Sequence, residues 1–282
     1  MTNIARWFSL SILTAAICGG VFADDAEKSA EDEPTPKVSP AVIAATKHAG
    51  MLQVELVAAS KNGTLKLSER PFLTFGDPAR GNEAGTLWAW SNGGRPIAMM
   101  ELYRATGDDQ PWVHALTMTS PQLIRMTSKT GATWTPKKSD FEPRELPGDI
   151  AVGDKQVLRL RQMKEQARRF AAHEFWDPNN SRFELRLLAQ PVHRYTDAAN
   201  KLIDGAVFVF AHGTNPEVLL LIEAVGNDAV SAKWQYACFR LGSAELHVEL
   251  DNHKVWQRDR TPGVVGTPND SYWLLIGQRN EE

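Results

Sequence analysis

The sequence predicts an α+β fold, mainly antiparallel β-sheet, arranged as two tandem structural repeats of one helix and about six strands each. Three observations carry this reading. Short runs of alternating apolar residues separated by turn residues fill most of the chain. Helical signals open near residue 40 and again near residue 155. Gly, Pro and Trp recur at an offset of about 120 residues.

The N-terminus reads as a secretory signal, residues 1–23. Arg6 is the positive region, Trp7 to Cys18 is an uncharged apolar run, and Val21-Phe22-Ala23 offers small residues for cleavage after Ala23. Two alternatives stay open. An uncleaved anchor needs roughly 20 apolar residues, and Gly19-Gly20 interrupts this run. A lipoprotein would be acylated at Cys18, where the preceding Ile17 is bulky. No stable membrane span is expected after cleavage. Residues 24–40 form an acidic, Pro-containing spacer with little apolar material to bury, and disorder is expected there.

Repeat 1 is placed at 41–136. Ser39-Pro40 opens its helix, since Ser caps well and Pro tolerates the first helical position. Val42, Ile43, Ala49 and Leu52 are its expected apolar side. Val54, Leu56 and Ala58 alternate up to Lys61-Asn62-Gly63, and Leu65 and Leu67 return, which signals a hairpin. Further strands are expected over Thr86–Ser91, Ile97–Arg104, Trp112–Thr119 and Gln122–Ser128. Trp88 and Trp90 share one strand face and Leu87 and Ala89 the other, so this strand reads as buried on both sides. A sugar- or peptide-binding aromatic platform is the rival reading.

A Pro- and charge-rich linker is expected over 137–153. Repeat 2, at 154–258, opens with a helix over about Lys155–His173, where Leu160, Met163, Ala167 and Phe170 recur at helical spacing opposite a basic face. Strands resume after Asp177-Pro178-Asn179-Asn180. Residues 259–282 form a tail with a short final strand.

The register of the repeats is explicit. At an offset of 120, Leu65, Leu67, Pro71, Gly85, Gly93 and Pro96 meet Leu185, Leu187, Pro191, Gly205, Gly213 and Pro216. At 122, Trp112, Ala115 and Trp134 meet Trp234, Ala237 and Trp256. Glu101 meets Glu223 only if the two extra residues precede it.

Asp77-Pro78-Ala79-Arg80-Gly81, Gly85-Thr86-Leu87-Trp88-Ala89-Trp90 and Gly213-Thr214-Asn215-Pro216-Glu217-Val218 resemble stretches of an uncharacterised family of exported proteins from planctomycete-type bacteria. The resemblance implies export and a bacterial source, and transfers no catalytic residues.

Several chemistries lack their signatures. The formal net charge of −3 is concentrated in the spacer, so no nucleic-acid partner is expected. No His-Glu-x-x-His or Cys/His set is present, so no metal is expected, though ligands distant in sequence stay possible and His247 and His253 lie across one turn. No nucleophile elbow or phosphate loop is found, and no cofactor is expected. After signal removal Cys238 stands alone, a small buried hydrophobe by its setting.

The functional expectation is an exported non-catalytic binding or interaction protein of the periplasm or cell envelope, with an unidentified protein, small-molecule or glycan ligand. Its binding candidates are Arg80, Arg194 and Tyr195 before the long β connection, and Asn92, Arg95, His212 and Asn215 in the turn that follows. The alternative is a secreted hydrolase with a site between the repeats, using Glu101, Glu223 and His212. A structural envelope component is a third reading.

Overall fold

A computed structural model describes residues 39–57, 63–77, 82–105, 110–261 and 267–277. The predicted signal, most of the spacer and Arg80 lie outside these residues. All the described residues belong to one compact unit.

Helix α1 (Pro40–Ala49) starts where Ser39 caps it, its hydroxyl accepting from the Val42 amide at 3.3 Å. The expected apolar side needs correction. Ala45, His48 and Ala49 face the core, Ile43 is exposed, and Leu52 already belongs to a strand. Eight strands follow: β1 (Leu52–Leu56), β2 (Lys66–Leu67), β3 (Leu73–Asp77), β4 (Asn82–Ser91), β5 (Ala98–Ala105), β6 (Trp112–Met118), β7 (Ile124–Ser128) and β8 (Thr133–Trp134).

The expected linker carries β9 (Arg144–Glu145). Helix α2 (Gln156–Ala167) ends earlier than its periodicity suggested, because Phe170 opens β10 (Phe170–Phe175). Its spacing from Met163 and Ala167 fits a helix, yet pairing β10 with another strand buries Phe170 and Ala172 in the sheet. The second set continues with β11 (Arg182–Leu187), β12 (His193–Asp197), β13 (Leu202–His212), β14 (Asn215–Val225), β15 (Lys233–Arg240), β16 (Glu245–Leu250) and β17 (His253–Arg258). The last described strand is β18 (Tyr272–Ile276).

Every sheet pairing is antiparallel. In the first half of the chain β1 pairs with β7 and β7 with β8, while β2 and β3 both pair with β4, β4 with β5 and β5 with β6. In the second half β10 pairs with β16 and β16 with β17, while β11 and β12 both pair with β13, β13 with β14 and β14 with β15. The two outer edges are crossed. Strand β18, late in the chain, pairs with β6, and β9, between the halves, pairs with β15.

Three apolar clusters order these elements. One lies between α1, the β4–β6 sheet and the small β1–β7–β8 sheet, and contains Trp88, Trp90 and Trp134. A second lies between α2, β13–β15 and β10–β16–β17, and contains Phe208, Phe210 and Trp256. The third joins Leu87, Ala89 and Met99 to Val207, Val209, Leu219, Leu221 and Phe239. The two main sheets therefore pack face to face, and β4 and β13 are buried on both sides. The tryptophans of β4 fill a core and form no open platform.

Candidate functional site

The layer between the two sheets is apolar in the middle and polar at its ends. Strand β14 shows why. Leu219 and Leu221 alternate onto the inter-sheet face, and Glu217 and Glu223 continue the same alternation at either end. Both glutamates are buried, and a buried carboxylate needs partners.

Glu223 is fully engaged. Its Oε1 accepts from Arg95 Nε at 2.6 Å and from Tyr195 Oη at 2.8 Å. Its Oε2 accepts from Arg95 Nη2 and Gln235 Nε2, each at 2.8 Å. Arg95 reaches it from the turn between β4 and β5, so the cluster ties one half to the other. Arg95 also lies over the Phe141 ring at 4.7 Å. Burial and the Glu223 carboxylate hold the Tyr195 phenol well above its ordinary pKa. This end of the layer is a closed structural latch, with neither carboxylate oxygen left for proton transfer.

The opposite end holds a cavity of about 250 Å³. Glu101, Tyr103 and Tyr272 line it from the first sheet, and Asn215, Glu217 and Trp176 from the second half. Glu101 and Glu217 are about 2% and 1% exposed. Leu241 and Gly242 amides donate to the Glu217 backbone carbonyl, at 2.8 and 3.2 Å, which folds the segment after β15 across the cavity. The Tyr272 phenol is raised strongly, by burial above all and further by nearby Glu101, Tyr103 and Glu217, against the opposing Arg240.

Asn215 is the informative group here. Its Nδ2 donates to Glu217 Oε1 at 2.7 Å, which fixes the orientation of the amide. Its Oδ1 is buried and has no hydrogen-bond partner. An unmatched buried acceptor costs about 1–3 kcal/mol. A donor entering the cavity removes that cost.

The predicted binding residues divide accordingly. Arg95 and Tyr195 are brought together, and they serve the latch. Arg194 stands beside Tyr195 in the wall of an open cavity of about 400 Å³ outside the latch, with its guanidinium donating to Asp204 through Nε at 2.8 Å and to the Gln156 carbonyl at 2.6 Å. Asn92 is exposed in its turn. His212 is half-buried, and its Nδ1 lies 2.6 Å from Glu174 Oε1. Asn215 and Glu101 are at the cavity. Glu101 and Glu223 are not brought together: Glu101 stands opposite Leu87 and Glu223 opposite Gly205.

Other expectations change as well. The face of α2 is not all solvated, because Arg159 is buried and donates to Asp204 Oδ2 at 2.8 Å. His247 stacks on His173 at 4.7 Å, while His253 turns to the Asp251 carbonyl. Cys238 is buried, and burial pushes its thiol up to about 12.

Sequence reasoning missed Glu217, Tyr272, Glu174 and Asp204. For Glu217 a signal was present, since a charge at the start of Val218-Leu219-Leu220-Leu221-Ile222 is out of place in a doubly buried strand. A further pair, His48 and His114, has its Nε2 atoms 2.9 Å apart. Burial first, and His48 second, lower the His114 pKa to about 4. Among the described residues no group of three or more His, Cys, Asp or Glu is placed to hold a metal ion, and no helix is long and apolar enough to cross a membrane. The chain matches no protein-family model, no curated protein and no solved structure.

Proposed function

We propose that the protein is an exported, non-catalytic binding protein, built by tandem duplication, whose ligand site is the cavity between its two halves. Export is supported by the apolar N-terminal run and acidic spacer, and by the resemblance to exported planctomycete-type proteins. On this reading it works in the periplasm or outside the cell.

Duplication is supported by the order of strands, which is alike from β1 to β8 and from β10 to β17, although β10 pairs with β11 and so joins the second set into one sheet, while β1 and β2 lie in separate sheets. Phe75 lies opposite Gly85 and Tyr195 opposite Gly205, each followed by a register shift. In that alignment Arg104 opposes Trp112 as Ala224 opposes Trp234, so the two extra residues fall in the connection after β14.

The alignment also relates the two ends of the inter-sheet layer. Arg95 corresponds to Asn215, and Glu223 corresponds to Tyr103. Where one end has the Arg95–Glu223 salt bridge, the other has the uncharged Asn215 and Tyr103 in the wall of the cavity. Duplication followed by divergence at these positions accounts for the salt bridge at one end and the cavity between the halves at the other.

The observation that carries the binding reading is the buried, unpartnered Asn215 Oδ1 in the wall of this cavity. It fits a small polar ligand that brings an N–H or O–H donor, such as a polyol or an amine. The test is calorimetric titration and thermal unfolding with a panel of small sugars, polyols, amino acids and amines. One class raises Tm in a concentration-dependent way, and Asn215→Ala removes that ligand-dependent shift; it also lowers the unliganded Tm, because the buried Glu217 Oε1 loses its donor. Absence of any binder, or binding indifferent to Asn215→Ala, overturns the reading.

A second reading, a hydrolase, rests on the His212–Glu174 pair. A buried carboxylate on Nδ1 orients an imidazole as a general base requires. Turnover of an ester or glycoside panel that is abolished by His212→Gln selects this reading over the first.

A further inference from the structure

A second cavity, of about 330 Å³, lies in the first half beside the end of α1. His48 at the end of α1 and His114 on β6 stand in its wall, with Ser128 and Thr130 hydroxyls nearby. Both imidazoles are almost fully buried. Neither the latch nor the inter-half cavity uses them.

The two rings are held in place from behind. His114 Nδ1 lies 3.3 Å from the Leu275 carbonyl, which only accepts, so Nδ1 carries the proton and Nε2 presents its lone pair. His48 is stacked on Trp112, centroids 5.0 Å apart and 19° from parallel. A backbone carbonyl on the far nitrogen is the usual support of a metal-bound imidazole, because it fixes both tautomer and ring direction. Trp112 is itself covered by Arg104 at 5.5 Å.

The two Nε2 atoms are 2.9 Å apart, a hydrogen-bond distance that is also short enough for both to reach one metal ion. With metal–nitrogen bonds of about 2.0–2.1 Å, two ligands at a right angle are about 2.9 Å apart, whereas a tetrahedral pair is about 3.3–3.4 Å apart. The hydrogen-bonded 2.9 Å of the metal-free pair is nearer the right-angle value, so little movement is needed to reach it. Tetragonal nitrogen coordination is the preference of divalent copper and nickel, and copper binds most tightly in the divalent series.

We propose that His48 and His114 are the two protein ligands of a divalent copper or nickel site, completed by water from the adjoining cavity. In the metal-free protein one imidazole donates to the other through Nε2. Metal entry requires His48 to carry its proton on Nδ1, as His114 already does, with both Nε2 lone pairs on the ion. The cavity has room for several waters at about 30 Å³ each.

The test uses the untagged full chain, stripped with EDTA and titrated with Cu²⁺ or Ni²⁺ by calorimetry, with electron paramagnetic resonance of the copper form. One equivalent binds, the copper spectrum is tetragonal, and its hyperfine pattern shows two equatorial imidazole nitrogens. His48→Gln and His114→Gln each weaken binding at least about tenfold, and His253→Gln leaves it unchanged. Far-UV circular dichroism checks each variant. If His114→Gln does not fold, His48→Gln and the wild-type spectrum still decide the matter. Absence of binding, a copper spectrum without nitrogen coupling, or one-equivalent binding that survives His48→Gln overturns the site.

Discussion

Arg95 and Glu223 lie 128 residues apart in sequence and are joined by two hydrogen bonds, at 2.6 and 2.8 Å, at the closed end of the inter-sheet layer. The Glu223 side chain is about 2% exposed and that of Arg95 about 11%. Removing one partner strands a buried charge. Arg95→Ala and Glu223→Gln are each expected to cost about 3–5 kcal/mol in urea unfolding, and Arg95→Met combined with Glu223→Leu to cost much less than the sum. Equal, additive losses would show that the pair acts as two separate contacts.

Gly85 and Gly205 lie under aromatic rings. A Cβ on Gly205 would stand 2.7 Å from the Tyr195 ring, and one on Gly85 would stand 2.2 Å from the Phe75 ring. Each Gly→Ala change is expected to destabilise by about 1–3 kcal/mol. Phe75→Leu should relieve part of the Gly85→Ala cost, so a double-mutant cycle at this pair reads a clear coupling.

Much of the architecture was legible because it is local. Trp88 and Trp90 against Leu87 and Ala89 announced a strand buried on both faces, and Ser39-Pro40 announced the start of α1. The end of α2 was not legible, because Phe170 suits the helical period as well as the strand that pairing gives it. The latch was half legible: Arg95, Tyr195 and Glu223 stood out singly, but only long-range packing joins them. Nothing local links His48 to His114, which are 66 residues apart, or marks Arg144-Glu145 as a strand.

His193 is stacked on Phe72 at 4.1 Å, and burial lowers its pKa. Burial, with Arg182 and His247 adding to it, also lowers that of His173. A His with a depressed folded-state pKa binds its proton less readily than in the unfolded chain. Stability is therefore lost as pH falls from about 6.5 towards the depressed values and levels off below them. His193→Phe keeps the stacked ring and removes the titration. Urea midpoints measured from pH 7 to pH 4.5 with EDTA present should fall less steeply in this variant, and an unchanged slope would refute the assignment.

Trp273 on β18 is about 7% exposed and packs into the first-half core. Trp273→Ala is expected to cost about 3–5 kcal/mol. The change should red-shift the emission of the remaining tryptophans of that core on mild denaturation, and a loss under 1 kcal/mol would mean that β18 is peripheral.

The crossed edges bear on the order in which the protein is made and folded. His114 on β6 bonds to the Leu275 carbonyl of β18, 161 residues later, and β15 takes its edge partner from β9, which precedes α2. A ribosome or export channel releasing the chain from its N-terminus delivers β1–β8 long before β18. The early half must wait with an open sheet edge, exposed to aggregation, until the final strand emerges. Such long-range closure also predicts slow folding.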